Sequence, residues 1–548
     1  MEQNKKHYLR RLSALKIERE SWVDHWEEIS KVLLPRSGRF VTSDRNKGDK
    51  RNKDIIDGEA TFAVRVLAAG LMSGVTSPSR PWFKLRIPNE DLNQSSEVKL
   101  WLSKVTELMK AIFHKSNTYR SLHKMYEELG VYGTAASIVV DDADDVIRLH
   151  TLTIGEYYLA QNDRREIDSL YREFQMTVGQ MVMQFGLKAC SAVVQREHSK
   201  GNIDQWMDVI HAIEPRIDRD TDKIDNLNMP FRSCYFEPSR SDGEVLEESG
   251  FKEFNCLTPR WDTTGGDIYG RSPGMDVLGD VKQLQYEQKM KGKAIGYKAD
   301  PPLQVPMSMS GEEDLLPGGV SYYSDISGTS SGVRSAFEVN LDLSHLSLDI
   351  QEVKQRINKG FYADLFLMIS QMDTTRTATE ISARQEEKML MLGTVLERLH
   401  NEMLDPLINL TFNKALDAGM LPPPPPELQG MDLEVEYVSV LAQAQKSVGT
   451  ASIDRLLGLV GQVAQFKPEV LDKINSDAIV NQYADMLGTD PQLVVPDKQV
   501  AELRAQRAQA QQQAQQQAMV PQQAQTAKVM SETSLDNDSA LSALVDNL

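Results

Sequence analysis

The chain has 548 residues, too many for a single compact core, so several subdomains are expected. Its 61 Lys and Arg against 79 Asp and Glu give a formal net charge of −18, which argues against a tight, general nucleic-acid binder because phosphate contacts depend on Lys and Arg. An acidic chain remains compatible with a wall along which DNA slides, since like charge repels the duplex.

The first half of the chain predicts helices followed by short strands. Apolar residues three or four positions apart predict an amphipathic helix over 8–34, and a segment rich in small residues predicts a second helix over 58–75. The helical pattern returns over 96–129. Beyond residue 133, short apolar runs separated by turn residues predict strands. Residues 1–272 are therefore expected to form one α+β domain.

Two predicted helices enclose a segment rich in Pro, Gly and Ser. Ser272 and Pro273 fit the N-cap and the first position of a helix over 273–298. Residues 299–343 predict a compact module of loops and strands. Apolar residues spaced by three and four then predict a second helix over 344–370.

The longest predicted helix follows a polar interruption. Residues 371–377 break the helical pattern, and the helix then runs over 378–420. Pro406 is expected to kink it, because proline lacks the N–H that a helix needs. Residues 421–500 predict a small helical domain after a polyproline spacer. The Ala/Gln-rich segment 501–548 predicts either a helix supported by neighbouring copies or a frayed tail.

The sequence lacks the motifs of common enzymes and metal sites: there is no HExxH, no GxSxG and no His/Cys cluster with ligand spacing. The segment GGDIYGRS (265–272) has the glycine spacing of a phosphate-binding loop, but Arg271 stands where lysine is required. It therefore predicts a turn entering a helix. The run DDADD (141–145) lacks the glycine and distal glutamate of a calcium loop and predicts a turn between strands. We expect no catalytic residue, metal or cofactor.

The cysteines and the apolar runs also exclude several classes. Cys190, Cys234 and Cys256 are widely spaced and odd in number, which predicts packing residues in a reducing compartment and no disulfide framework. No window approaches 18 consecutive apolar residues, and the charged start MEQNKKHYLRR shows no secretory signal. We expect neither a membrane span nor secretion.

Several blocks resemble the head-to-tail connector, or portal, proteins of short-tailed, podovirus-like bacteriophages. They lie between residue 9 and about 410 in the order expected for that family. The blocks are LSALKIERESWVDHWEEISKVLLPRSGRF, ATFAVRVLAAGLMSGVTSPSRPWFKL, GVYGTAASIVV, GGDIYGRSPGMDVLGDVKQLQ and TATEISARQEEKMLMLGTVLERLHNEMLDPLI. Because the blocks are distinct and cover most of the chain, the resemblance is specific.

The resemblance implies a mainly α portal-protein fold with an α+β wing, assembled as a ring of typically twelve subunits. It assigns the wing to 1–272 and 378–420, the stem helices to 273–298 and 344–370, the clip to 299–343, the channel loop to 371–377, the crown to 421–500 and the C-terminal segment to 501–548.

The function implied is that of a structural ring at one capsid vertex of the virion, assembled in the host cytoplasm. Double-stranded DNA would pass through it during packaging and ejection. The terminase motor and later a tail adaptor would dock on it, and the major capsid, scaffold and internal core proteins would be further partners.

Basic residues of the predicted stem and channel loop are the candidates for DNA contact. They are Arg376, Lys354, Arg356, Lys359, Lys289, Lys291 and Lys293. The channel loop itself comprises Gln371, Met372, Asp373, Thr374, Thr375 and Arg376. Arg376 is the first choice, because a short loop between two helices would project inward and form a constriction. For each residue a solvated or intersubunit charge is an equally good interpretation.

Two other classes remain as alternatives. An internal virion or capsid-assembly scaffold protein without a DNA channel would fit the acidic charge and the Ala/Gln tail. It would not require the order helix, clip, helix, loop and long helix. An ATP-driven translocase would require the lysine that Arg271 replaces.

Overall fold

The structure is a computed structural model. It describes residues 2–42, 48–88, 96–223, 225–240, 243–307, 318–323, 333–335, 343–370, 392–428, 434–437, 456–464, 466–480, 495 and 499–510. The chain divides into two compact units. The first comprises Met1–Arg86, Trp101–Pro424 and Met431–Gln445, and the second comprises Ile87–Leu100, Pro425–Gly430 and Lys446–Leu548.

Among the described residues, helices predominate before residue 136 and again after residue 272. They are α1 (Glu2–Val32), α2 (Glu59–Gly74), α3 (Ser96–Lys115), α4 (Thr118–Tyr132), α5 (Val178–Phe185), α6 (Ala192–Ser199), α7 (Pro273–Asp276), α8 (Leu278–Ala299), α9 (Leu343–Gly360), α10 (Ala363–Ser370), α11 (392–399) and α12 (Asp405–Asp417). The helices predicted over 8–34, 58–75 and 96–129 are confirmed, the last as two helices.

In the part of the chain that the structure describes, the strands build four sheets. They are β1 (Phe83–Arg86), β2 (Ala136–Asp142), β3 (Val146–Leu152), β4 (Tyr157–Gln161), β5 (Ile167–Thr177), β6 (Trp206–Pro215), β7 (Phe231–Phe236), β8 (Glu247–Phe251), β9 (Cys256–Leu257), β10 (Leu303–Pro306), β11 (Val320–Tyr323), β12 (Arg334–Ser335) and β13 (Glu434–Tyr437). The largest sheet has the antiparallel order β4-β5-β6-β7-β8, and a second has the order β3-β2-β9. Strand β1 pairs with β13, and β10 lies between β11 and β12.

Helix α1 packs along the five-stranded sheet and buries its apolar stripe there. Tyr8, Leu12 and Leu15 share a core cluster with aromatic and aliphatic residues of the sheet. Arg19, which interrupts the stripe, is also buried. Its guanidinium donates to two backbone carbonyls at 2.8 Å each and lies 3.8 Å from the centre of the Tyr158 ring. The interruption is therefore a buried cation held by two carbonyls and an aromatic ring, while its Nε has no hydrogen-bond partner among the described residues.

Gly270 of the GGDIYGRS segment serves close packing, whereas an added Cβ on Gly265 or Gly266 would meet no atom within 4 Å. Gly133, at φ 76°, lies so close to Gly270 that a Cβ on Gly133 would approach the Gly270 carbonyl oxygen to 2.3 Å. Ser272 caps the next helical turn by accepting a hydrogen bond from the Met275 N–H, with Pro273 at the first position. The predicted turn and cap are confirmed, and the segment joins the sheet region to α8.

Both predicted stem helices are interrupted once. The first has a single turn, α7, before α8 begins at Leu278. The second divides into α9 and α10 at Tyr362, whose φ of 54° lies in the left-handed region. A non-glycine residue there strains the backbone, and the N–H groups of Leu365 and Phe366 both donate to the Tyr362 carbonyl. The predicted clip contains the sheet of β10, β11 and β12, as its strand-and-loop pattern indicated.

The long helix contains a π-helical turn at His400–Leu404 between α11 and α12. Pro406 follows two residues later. It has no N–H to offer the Glu402 carbonyl, and that carbonyl accepts a hydrogen bond from the Thr258 N–H at 3.4 Å. The proline predicted to kink the helix is thus accompanied by a change of helical register. Residues 378–391 of the predicted helix lie outside the described residues.

The second unit contains short helical segments. Residues 456–464, 476–480 and 499–510 are helical, and Pro468–Lys473 forms a 3-10 turn. The guanidinium of Arg504 donates to both carboxylate oxygens of Asp477. Strand β13, which belongs to the first unit, also falls within the region predicted as a helical crown, and the sequence pattern did not indicate it. In the part of the chain that the structure describes, no helix is long and apolar enough to cross a membrane.

Candidate functional site

The two predicted stem helices, α8 and α9, pack antiparallel through an apolar seam. Val281 and Leu284 of α8 and Val353 and Ile357 of α9 are fully buried. The seam follows the spacing of three and four that the sequence shows. Its polar borders carry two of the predicted DNA-contact residues, Lys354 and Arg356.

Lys354 lies in an ion cluster at one border of this seam. Its Nζ is 2.8 Å from Asp57 Oδ2 and 3.2 Å from Glu59 Oε2. Burial opposes ionisation of both Lys354 and Asp57, but their mutual contact outweighs it, so the pKa of Lys354 is raised and that of Asp57 is lowered. Asn358 also donates to Glu59 at 2.9 Å.

Gln285 extends this cluster to the backbone before α2. Its side-chain oxygen accepts from the N–H groups of Ile56 and Asp57, at 2.6 and 2.9 Å, and its amide donates to the Asp57 carbonyl at 2.9 Å. Gln288 donates to Asp57 Oδ2 at 2.6 Å. The positive charge of Lys354 is therefore used inside its own subunit, where it holds the segment before α2 against α8 and α9.

Arg356 occupies the opposite border of the seam. Its Nε donates to Asp280 Oδ1 at 2.9 Å, and its two terminal nitrogens donate to Glu352 at 3.1 Å and Gln283 at 3.3 Å. The side chain is 40% exposed, so these contacts are screened by solvent. Arg356 links the two helices and also presents charge at the surface.

The remaining candidates differ in exposure. Lys289, Lys293 and Lys359 are exposed, and Lys291 is half-buried. Arg376 and the rest of the channel loop lie outside the described residues. The structure therefore brings Lys354 and Arg356 together with acidic partners and leaves the contact with DNA a prediction for every candidate.

Sequence reasoning missed an anchor between the π turn and the segment after β9. Glu402 accepts hydrogen bonds from the side chain and the backbone N–H of Arg260. Beside it, the His400 ring stacks on Tyr437 with centroids 3.8 Å apart and planes 4° from parallel. Each pair joins residues that are far apart in sequence, so no local spacing could have indicated them.

No constellation of reactive groups emerges in the residues that the structure describes. No group of three or more His, Cys, Asp or Glu side chains there has a geometry that could hold a metal ion. All three cysteines are buried and free, and burial raises the pKa of the Cys190 thiol to about 11. In the turn of DDADD, the Asp142 side chain accepts hydrogen bonds from the N–H groups of Asp144 and Asp145. The predicted turn between β2 and β3 is confirmed, and the three cysteines are buried as expected of packing residues.

Comparison with known proteins assigns the chain to a family. The profile of the family described as "Bacteriophage head to tail connecting protein" matches residues 5–495. The "Probable portal protein" of Bordetella phage BPP-1 is 54% identical over 535 residues, which cover 97% of this chain and 96% of that protein. The chain belongs to the bacteriophage head to tail connecting protein family.

Another relative of this connector is the "Portal protein" of Salmonella phage epsilon15, 45% identical over 548 residues that cover 100% of this chain and 98% of that protein. Two solved structures also match with a TM-score of 0.34 each. The first is a virion of the native gene transfer agent particle, at 12% identity, and the match covers 85% of this chain and 99% of that chain. The second is a neck of the empty particle, at 11% identity, and the match covers 84% of this chain and 98% of that chain. The family assignment stands on the profile and the sequence relatives alone.

Proposed function

We propose that this connector is the portal subunit of a short-tailed phage. Identical copies, typically twelve, close into a ring at one vertex of the capsid, and double-stranded DNA passes through the centre during packaging and ejection. The terminase motor docks on the ring first, and a tail adaptor binds there later. The role is structural and non-catalytic, and the ring assembles in the host cytoplasm before it becomes part of the virion.

The observation that carries this proposal is identity of 54% and 45% over nearly the full chain to two phage proteins that bear the portal name. The alignment with the epsilon15 protein covers every segment of the predicted layout. It supports the wing, stem, clip, channel loop and crown assigned above to this chain. The same identity weighs against an internal scaffold protein without a channel.

The charge distribution supports a channel that holds DNA only locally. At −18 per subunit the ring repels the duplex over most of its surface, which favours sliding. Arg376 remains our first choice for a constriction that contacts phosphates. Lys354 is a weaker candidate for DNA contact than the sequence alone indicated, because Asp57 and Glu59 already pair with it.

Negative-stain electron microscopy of the purified full chain tests the ring. We expect closed rings with a central hole wide enough for duplex DNA, and no ATP turnover by the purified protein. Open filaments or compact particles without a hole, over a range of protein and salt concentrations, would contradict the portal proposal. Robust ATP hydrolysis would favour a translocase instead.

A further inference from the structure

The outward side of α8 carries a basic stripe, which we define as Lys282, Tyr286, Lys289 and Lys293. These residues are four, three and four positions apart, so they lie on one side of the helix. All four are exposed, and Tyr286 is 63% exposed. Lys282 pairs with Glu28 of α1 in the same subunit. The other three members lie on the side of α8 away from the buried Val281 and Leu284.

A second border of the same helix pair is acidic. This acidic edge consists of Asp280 and Glu287 on α8 and Asp349 and Glu352 on α9. Arg356 pairs with Asp280 and Glu352, at 2.9 and 3.1 Å. Four carboxyl groups therefore face one guanidinium, and the excess negative charge lies at Glu287 and Asp349.

The cation that acts on Glu287 among the described residues is Arg356, which already pairs with Asp280 and Glu352. Its residue surface is only 8% exposed. One oxygen accepts from the Gln283 amide at 2.6 Å, while Oε2 is buried and receives no hydrogen bond within the described part of the chain. Burial and the adjoining carboxyl of Asp349 raise the pKa of Glu287. A buried carboxyl beside a second one is unfavourable unless a positive group joins them.

We propose that the basic stripe of one subunit docks on the acidic edge of the next, where Lys289 supplies the positive charge that Glu287 and Asp349 lack. The inference rests on the proposed ring. A closed ring of identical subunits uses head-to-tail contacts, so each subunit must present two different and complementary patches. The stripe and the edge are such a pair on the same two helices.

The choice of Lys289 follows from symmetry. Rotation about a ring axis keeps every residue at its height along that axis. Where α8 runs along the axis, Lys289 lies about 3 Å from the height of Glu287, since a helix rises about 1.5 Å per residue. A lysine side chain spans that difference. In this arrangement Lys289 contacts the neighbouring subunit and is not a DNA ligand.

Charge reversal tests the contact. Lys289→Glu and Asp349→Lys each place like charges at every interface, and we expect the ring fraction in native mass spectrometry to fall by about tenfold or more at equal subunit concentration. Lys188→Glu, at an exposed lysine between α5 and α6, is the control with the same change of net charge as Lys289→Glu and should form rings like the unmodified chain.

Recombination distinguishes a lost contact from misfolding. The double variant Lys289→Glu with Asp349→Lys restores opposite charges at every interface and should recover the ring fraction. An equimolar mixture of the two single variants should also form rings, with the two chains alternating. As an independent check on folding, Asp349→Lys should raise the melting temperature of the isolated subunit, because it removes the repulsion of Glu287.

The outcomes separate this inference from the portal proposal. If the unmodified chain forms no ring, the portal proposal itself fails. If the unmodified chain forms rings and Lys289→Glu forms them equally well, the docking of stripe on edge is wrong while the portal proposal stands. Failure of both the double variant and the mixture to recover rings would also overturn the docking.

Discussion

Glu402 and Arg260, 142 residues apart, form a buried pair that holds the π turn against the segment after β9. Glu402 Oε1 accepts from the Arg260 side chain at 2.7 Å, and Oε2 accepts from the Arg260 backbone N–H at 2.8 Å. The Arg260 side chain is 6% exposed and that of Glu402 is 20% exposed. The pair fixes the long helix at the point where its register changes.

Glu402→Gln should destabilise the subunit strongly. It leaves the buried Arg260 guanidinium without its anion, which costs about 3 kcal/mol in the free energy of unfolding. The melting temperature, measured by circular dichroism at fixed protein concentration, should fall by several degrees. The control is Asp417→Asn in the exposed pair with Lys252, which should leave the melting temperature unchanged. Equal shifts in the two variants would contradict a special role for Glu402.

Lys354→Gln should act on stability and not on DNA. Its ammonium is held by Asp57 and Glu59, so its removal leaves two partly buried carboxylates without their cation. We expect a lower melting temperature and an unchanged amount of DNA retained by particles that assemble. A retention defect at unchanged stability would show that Lys354 faces the channel.

Arg376→Glu should reduce DNA retention and leave the stability of the subunit unchanged. The substitution places a ring of negative charge at the proposed constriction, where it repels phosphates. Particles assembled with this variant should retain less DNA, measured as full particles against empty ones in a density gradient, with the subunit's melting temperature unchanged. Normal packaging and retention by Arg376→Glu would count against the constriction.

Gly133→Ala should disrupt the junction between the sheet region and α8. Gly133 has a φ of 76°, and an added Cβ would come within 2.3 Å of the Gly270 carbonyl oxygen. Because backbone atoms cannot yield as a side chain can, we expect a loss of about 3 kcal/mol or an insoluble protein. Gly292→Ala is the matched control: its added Cβ meets no atom within 4 Å, and it should stabilise α8 by about 0.5–1 kcal/mol.

Local patterns predicted what is local in the structure. Spacing of apolar residues gave the helices of the wing and stem, and Ser272 with Pro273 marked a helix start that the structure confirms. The interruption of the apolar positions of α1 by Arg19 could not be interpreted from sequence, because the partners of Arg19 are carbonyls more than 130 residues away. Large separations in sequence also explain why neither the Glu402–Arg260 pair nor the pairing of β13 with β1 was predicted. Periodicity reports which side of an element is buried but not which element covers it.

In the candidate site, too, the sequence predicted local features but not contacts between distant segments. Sequence identified Lys354 and Arg356 as charges on a helix, but which acids neutralise them depends on packing between distant segments. Asp57 and Glu59 precede α9 by about 300 residues, and only the fold brings them to Lys354. Helical spacing alone does place Lys289 and Lys293 on one side of α8, which is why the exposed lysines were recognisable and the buried cluster was not.

His400 should make stability depend on pH in the mildly acidic range. Burial lowers its pKa to about 4 from the ordinary 6.5, so the folded protein holds the ring neutral against Tyr437. Between these values the unfolded chain binds the proton and the folded chain does not. The contribution of neutral His400 to the free energy of unfolding is therefore complete above about pH 6.5 and falls progressively as the pH drops towards 4.

His400→Phe retains a flat ring for the stack and removes the titrating group. Relative to the unmodified chain, we expect the variant to gain about 2 kcal/mol between pH 7.5 and pH 4.5, after allowance for partial solvent screening. Unfolding by urea at a series of pH values measures the difference, in which the carboxyl groups common to both chains cancel. Parallel pH profiles for the two proteins would mean that His400 titrates near its ordinary pKa and is not desolvated by the stack.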